Sequence, residues 1–263
     1  MIKLFISDLD GTLLGMNHSI KDEDIQAIKT LKSNETDFAV ASGRMDHDIE
    51  QVLSKMQVDG HRISQNGAFV YGMDNHRIHS KFFDAEHAKQ VMEFVKDEPM
   101  VKTVSTEDKI FTAEHNEWVD LISAQLFQDV IIEPKLIEQF GNTLTPAKIT
   151  LHGKEEDVVL AYNRVSKKFD EEFDSFISHE SCVDIMPKMI NKGNGIKALL
   201  GKVGLEPNEV ACVGDSFNDL PMFAVTPHSY AMSTAHPDVQ KKAEYVVDHV
   251  YEAVEDLKNK GLL

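Results

Sequence analysis

The chain has 263 residues, 42% of them hydrophobic, enough for one large domain or two modest ones with a real core. Lys and Arg total 27 against 44 Asp and Glu, a net charge of -17. This charge disfavours nucleic acid as a partner, and none is expected, because phosphate backbones need clustered Lys and Arg, whereas one metal ion and one Lys can reverse the sign locally for a small phosphorylated molecule. The N-terminus has no basic region, apolar stretch and cleavage site of a signal peptide, and no apolar run approaches the ~18 residues that span a bilayer. A soluble, cytoplasmic protein with no membrane partner is expected. Cys182 and Cys212 lie in apolar, strand-like runs and read as two buried thiols, with no zinc pattern.

Ile2 to Ile6 reads as a short buried strand that ends in Asp8 and Asp10, with Gly11 turning the chain. In open α/β sheets ligands bind at the carboxyl ends of the strands, where both aspartates fall. Carboxylates this close raise each other's pKa unless a cation intervenes, and a hard divalent cation, most simply Mg2+, would keep Asp8 ionised. An ionised aspartate there can attack phosphorus, and Asp10 can protonate the leaving oxygen and later deprotonate water. Ser19 with Asp22 suggests a helix cap, followed by the stripe Ile25, Ile28 and Leu31. Phe38–Ala41 predicts a second strand running into Ser42-Gly43-Arg44, and Ile49, Val52, Leu53 and Met56 the next helix. This alternation argues for a doubly wound parallel sheet. Gln65-Asn66-Gly67 between two strand-like pieces reads as a hairpin turn, with Asn66-Gly67 considered as a substrate contact although a plain turn explains it fully, and Ile78 to Phe83 extended beyond it.

From Asp84 the strands become shorter and more polar. Helix patterns at Glu86–Lys96 and His115–Phe127 alternate with strands at Val101–Ser105, Ile110–Thr112, Lys148–His152, Phe176–His179 and Cys182–Met186. Residues 84–185 are read as an inserted α+β unit, with 1–83 and 186–263 forming the core. Within the insert, Trp118 reads as helix packing and the acidic run at 170–174 as a solvated loop. Asn191-Lys192-Gly193 opens a helix that Gly204 closes. Val210–Val213 is an apolar strand running into Gly214-Asp215-Ser216-Phe217-Asn218-Asp219, with Pro221 in the first turn of a short helix. Ser229–Met232 and Tyr245–Val247 read as final strands and Tyr251–Lys260 as the closing helix.

Four stretches together, Asp8-Leu9-Asp10-Gly11-Thr12, Ser42-Gly43-Arg44, Lys192 at a helix start, and Gly214 to Asp219, resemble the haloacid dehalogenase-like (HAD) superfamily of phosphatases. The large insert resembles the cap of the Cof-type subfamily. The resemblance implies an α/β fold, with a doubly wound parallel, Rossmann-like core sheet and an inserted α+β cap closing over it. It implies Asp8 as nucleophile and metal ligand, and Asp10 as general acid and base, giving the Mg2+ its backbone carbonyl. Asp215 would complete the protein part of the metal shell. Ser42, the Gly43 backbone and the Leu9 amide would hold the phosphoryl oxygens. Lys192 would neutralise the phosphoryl group and Asp8, Asn218 would reach the phosphate, and Asp219 would act from outside the metal's own ligand set. Arg44 is open between a structural charge partner and a substrate contact. The stretch Ala231-Met232-Ser233-Thr234-Ala235 departs from the Gly-Asn-Ala that often follows Ala-Met in this subfamily. His115, His152, His179 and Glu180 are the cap side chains considered as substrate contacts. The implied activity is Mg2+-dependent hydrolysis of small phosphorylated metabolites, sugar phosphates above all, by a monomer or homodimer. A phosphotransferase or phosphomutase on the same intermediate, or a non-catalytic phosphometabolite-binding module, is the alternative.

Overall fold

The protein is described here by a computed structural model, covering residues 1–15, 19–125 and 129–263. It divides into two compact units, Met1–Ser80 with Asn191–Leu263, and Lys81–Ile190. The boundaries thus fall a few residues from 83/84 and 185/186. Phe83 packs in the core of the second unit, and the strand begun at Cys182 runs on to Pro187, so neither earlier boundary is a break in packing.

The first unit opens with β1 (Leu4–Ser7), α1 (Asp22–Ser33), β2 (Asp37–Ala41), α2 (Asp46–Met56), β3 (His61–Ser64), β4 (Phe69–Tyr71) and β5 (Arg77–Ser80). Ser19 does not cap α1. The helix starts at Asp22 with Lys21 before it, and its first turn carries Asp22, Glu23 and Asp24, whose charges suit a helix N-terminus. The second unit contributes α3 (Ala85–Phe94), β6 (Val101–Ser105), β7 (Ile110–Thr112), α4 (Glu117–Gln125), β8 (Val130–Ile132), β9 (Lys148–His152), α5 (Glu155–Phe169), β10 (Phe173–His179) and β11 (Cys182–Pro187). The end of the helix expected at His115–Phe127 lies outside the described residues. The first unit resumes with α6 (Lys192–Val203), β12 (Val210–Gly214), α7 (Leu220–Phe223), β13 (His228–Met232), α8 (Pro237–Gln240), β14 (Tyr245–Val247) and α9 (Val250–Asn259).

The core sheet runs β14-β13-β12-β1-β2-β3-β4-β5. From β14 through β3 every neighbour is parallel, and β4 and β5 are added antiparallel. Both faces are covered, which is why β1 and β12 read as unbroken apolar runs instead of alternating. On one face Phe5, Val40, Ala211 and Val213 pack against Ile28 and Leu31 of α1, Ile49 and Val52 of α2, and Ala253, Val254 and Leu257 of α9. On the other, Leu4, Ile6, Ala39 and Cys212 pack against Ile196 and Leu199 of α6 and Met222 and Phe223 of α7. β1 lies between β12 and β2, with Ser7 level with Val213 and Val40. The chain leaves β1 toward β2 first and returns to its other side as β12 only after the insert. That reversal is the topological switch point where α/β sheets bind ligands.

In the second unit the sheet order is β10-β11-β9-β6-β7-β8. One face is apolar, with Val104, Ile149, Leu151, Val183 and Ile185 packed on Ala88 and Val91 of α3 and Val158, Ala161 and Val165 of α5. The opposite face carries a polar network in which Thr150 donates to Asp184 at 2.8 Å and Lys148 lies 3.7 Å from the same carboxylate. Trp118 is 38% exposed, so it is Val119 and Ile122 that pack α4, not the tryptophan. The acidic run is not simply a loop: Phe173 is buried at the start of β10, and Asp174 accepts from the Met189 N–H and pairs with Lys188. Cys212 is buried, but Cys182 is only half-buried; both are free thiols.

Candidate active site

At the end of β1 the Asp8 N–H still donates across the sheet to Val213, while the next residues fold into a tight turn. Leu9 accepts from the N–H groups of Thr12 and Leu14, and Gly11 donates to Leu14. Leu9 buries its side chain in the core, so only its backbone is left on the turn. Gly11 has a φ of +77°, and a Cβ there would lie 2.3 Å from Oδ2 of Asp215. A side chain at position 11 is therefore incompatible with Asp215 where it stands. Thr12 then donates its hydroxyl to Oδ1 of Asp215 at 3.0 Å.

Asp215 follows β12, and Asp219 sits in the 3-10 turn of Phe217–Asp219. Oδ2 of Asp219 accepts from the amides of Asp215 and Ser216, both at 2.9 Å, tying the acidic loop into a closed ring. Lys192 is the first residue of α6, whose cap is the Asn191 side chain accepting from the Asn194 N–H. Its side chain is fully buried, and its ammonium donates to Asp8 Oδ1 at 2.6 Å and to Asp219 Oδ1 at 2.7 Å. Ligand atoms of Asp8, Asp215 and Asp219 all lie within 4.8 Å of one another.

Three carboxylates around one ammonium leave an excess of negative charge. Burial pushes Asp8 well above the usual carboxylate range; the Lys192 charge pulls the other way, and Asp219 and Asp215 add to the rise. Asp215 is pushed up to about 6, by burial and then by the Asp219 charge, against the pull of Lys192 and the Thr12 hydrogen bond. Burial opposes charge on Lys192, but Asp219 and Asp8 more than offset it and hold the ammonium above its ordinary range. This arrangement fits a hard divalent cation, which relieves the repulsion and keeps the acids ionised. Asp219 has both oxygens already engaged by Lys192 and by two amides, so Asp8 and Asp215 are the side chains suited to hold it.

Ser42 follows β2. Its N–H donates to Ile63, its carbonyl accepts from Asn66 N–H, and its Oγ accepts from the Arg44 N–H at 3.1 Å. Because Oγ is already an acceptor, the Ser42 proton is free to be donated to a ligand oxygen. Gly43 is half-buried between Ser42 and Arg44. Arg44 forks onto Asp10, Nε to Oδ2 and Nη2 to Oδ1, each at 2.7 Å. The expected residues therefore fall into one tight group, Asp8, Lys192, Asp215 and Asp219, with Asp10 and Ser42 linked to each other through Arg44.

Gln65-Asn66-Gly67 is the turn of the expected hairpin, with β3 and β4 paired antiparallel on either side of it. All three residues are buried, with φ values of 46°, 56° and 98°. Asn66 accepts from the Asn218 side chain at 3.2 Å, and among the described residues Oδ1 of Asn218 has no hydrogen-bond partner. A Cβ on Gly67 would lie 2.5 Å from the Asn191 carbonyl, so this turn is pressed against the start of α6. Thr12 is the site neighbour to which sequence reasoning gave no role, and Asn66 the one it considered but left as a plain turn. Thr12 stood inside the quoted first motif, and the Asn-Gly pair announced left-handed backbone but not its burial. The three insert histidines considered as substrate contacts each have a local partner: His115 with Asp120, His179 with Ser181, and His152 with Thr103 and Cys182. Burial lowers His152 to about 4 and keeps it neutral. Glu180 is exposed in the turn between β10 and β11.

Residues 5–254 match the family model of the haloacid dehalogenase-like hydrolases. The chain is 25% identical over 250 residues to the HMP-PP phosphatase of Serratia proteamaculans (strain 568), covering 91% of this chain and 87% of that protein. Its fold is similar to that of a HAD/COF-like hydrolase from Plasmodium vivax, with a TM-score of 0.88 and 19% identity over 98% of this chain and 96% of that one. It is also similar to that of the HAD subclass IIB sugar phosphatase BT4131, with a TM-score of 0.83 and 21% identity over 99% of this chain and 100% of that one.

Proposed function

The chain belongs to the haloacid dehalogenase-like hydrolase family, and from that premise we propose that it is a Mg2+-dependent phosphatase of small phosphorylated metabolites, sugar phosphates first, acting in the cytoplasm through an aspartyl-phosphate on Asp8. The observation that carries this reading is the fully buried Lys192 held between Asp8 and Asp219 at the carboxyl end of β1. A lysine and a carboxylate so placed have little structural reason to share a switch-point crevice, and much reason if a phosphoryl group is to be received there. The HMP-PP phosphatase and the sugar phosphatase named above support the substrate class.

In this reading a carboxylate oxygen of Asp8 attacks phosphorus and the bond to the leaving oxygen breaks. Asp10 gives its proton to that oxygen, releasing an alcohol. Asp10 then takes a proton from water, whose oxygen attacks phosphorus. The bond from phosphorus to Asp8 breaks, and inorganic phosphate leaves. Lys192 neutralises charge on Asp8 and on the phosphoryl oxygens, while Ser42, the Gly43 backbone and the Leu9 amide donate to those oxygens and Asn218 orients the group. Asp8, Asp215 and the Asp10 carbonyl would hold Mg2+, which supplies positive charge against the developing negative charge. Asp219 keeps Lys192 and the Asp215 loop in place. The test is phosphate release from a panel of phosphorylated metabolites, with Mg2+ and with a chelator. Release with Mg2+ that the chelator abolishes is expected. Transfer to an acceptor without free phosphate, or no turnover of any member, would refute hydrolysis.

A further inference from the structure

Arg44 bridges two loops that follow different strands. Its N–H donates to the Ser42 hydroxyl oxygen at 3.1 Å and its carbonyl accepts from the Gln65 N–H at 2.8 Å, so its backbone is held on both sides. Its side chain is 9% exposed, whereas that of Asp10 is 45% exposed. The buried arginine is therefore the fixed partner and the aspartate the one being held. A half-exposed aspartate on a turn samples several staggered rotamers, and a bidentate guanidinium fork selects one of them. Burial opposes charge on Arg44, yet the hydrogen bond and charge of Asp10, with further negative charge from the fully buried Asp48, outweigh it and raise its pKa.

We propose that Arg44 is the positioning residue for Asp10, fastening the acid–base group to the loop that carries Ser42, so that one rigid piece sets both phosphoryl binding and proton transfer. The inference rests on the phosphatase reading. An arginine that served only as a surface ion pair would be more exposed and bound through one nitrogen. An arginine that served to bind the phosphoryl group would not have its fork spent on a carboxylate. Both oxygens of ionised Asp10 accept from Arg44; while Asp10 carries the proton for the leaving oxygen, one oxygen turns to hold that proton and the other still accepts from Arg44, and the full fork re-forms once the proton is given.

The test compares Arg44→Gln, which lacks charge and fork, and Arg44→Lys, which lacks only the fork, on two esters with Mg2+. The leaving group of p-nitrophenyl phosphate departs without a proton, whereas that of glycerol 2-phosphate requires one. We expect the single-turnover rate of alcohol release from the alkyl ester to fall about 100-fold in both variants and that from the aryl ester about 5-fold, with KM within about 3-fold. An equal fall in this first-turnover rate on both esters, or a raised KM with the rate kept, would overturn the assignment. An activity-free measurement stands beside it: the Arg44 Nε–H resonance should be protected from exchange in the native chain and lose protection in Asp10→Asn. Unchanged protection also overturns the inference. If the native chain is silent on both esters and on the metabolite panel, it is the phosphatase reading that fails, and the Nε–H measurement alone then decides whether Arg44 holds Asp10.

Discussion

At Lys192 the ammonium touches two carboxylates, at 2.6 and 2.7 Å, and no solvent. Removing one partner of a buried ion group typically costs about 3–5 kcal/mol, because the charges left behind have no water to turn to. Lys192→Met should therefore lower the unfolding free energy by about that amount in urea denaturation at neutral pH, and abolish turnover. Lowering the pH should recover part of the stability, since Asp8, which burial and its acidic neighbours already push above the usual carboxylate range, can then protonate. Thr12 would act one step away from the proposed cation. Its hydroxyl fixes one oxygen of Asp215, and losing such an outer partner weakens metal binding by about 10–100-fold. Thr12→Val should show that loss in a Mg2+ titration followed by calorimetry, while the fold is retained. An unchanged Mg2+ affinity would take Asp215 out of the metal shell.

Among the elements, β1, β2 and β12 were legible because both faces of the parallel sheet are buried, so their apolar runs are continuous and end abruptly in polar residues. Asp8, Ser42 and Asp215 could be placed at strand ends for the same reason. The turn Gln65–Gly67 was legible as a hairpin, and β3 and β4 pair antiparallel across it; its burial was not, because Asn-Gly marks left-handed backbone wherever it occurs and only packing sets Gly67 on Asn191. Ser19 failed as the cap because α1 begins later than the pattern suggested, with Lys21 at its N-cap position. Trp118 misled because a large aromatic in a helical pattern suggests core, whereas its neighbours Val119 and Ile122 are the buried ones. The Arg44–Asp10 fork depends on side-chain direction, which spacing does not encode. Two substitutions probe the elements. Gly11→Ala forces a Cβ to 2.3 Å from Asp215 in a left-handed turn, so Asp215 must move and activity should fall even if the core sheet still forms. Phe173→Ala removes a ring that packs on Phe83 and Phe169 at centroid distances of 5.5 and 5.1 Å. It should destabilise the inserted unit by about 3–5 kcal/mol, read as loss of amide protection in α5 and β10.

For the whole molecule, metal, proton and stability are linked. In the metal-free chain Asp215 is pushed up to about 6 and Asp8 is raised as well, both above their unfolded values. A carboxyl whose folded pKa is raised holds its proton more tightly folded than unfolded, so both acids contribute stability at low pH that is lost as pH rises, for Asp215 through about 6. A divalent cation needs the same acids ionised, so its contribution has the opposite sign: full above about pH 7 and lost as pH falls through 6. The rise in Tm on adding Mg2+ should thus be large at about pH 7.5 and nearly gone at about pH 5. A rise independent of pH would mean that the cation binds elsewhere. The most direct measurement of all is chemical trapping. A phosphorylated substrate carrying a radiolabelled phosphoryl group is mixed with the enzyme and Mg2+, quenched in acid, and the label mapped by borohydride reduction and peptide sequencing. The label should sit on Asp8 and be absent in Asp8→Asn. Turnover of the same substrate with no label on Asp8, or with label on another residue, would contradict the account.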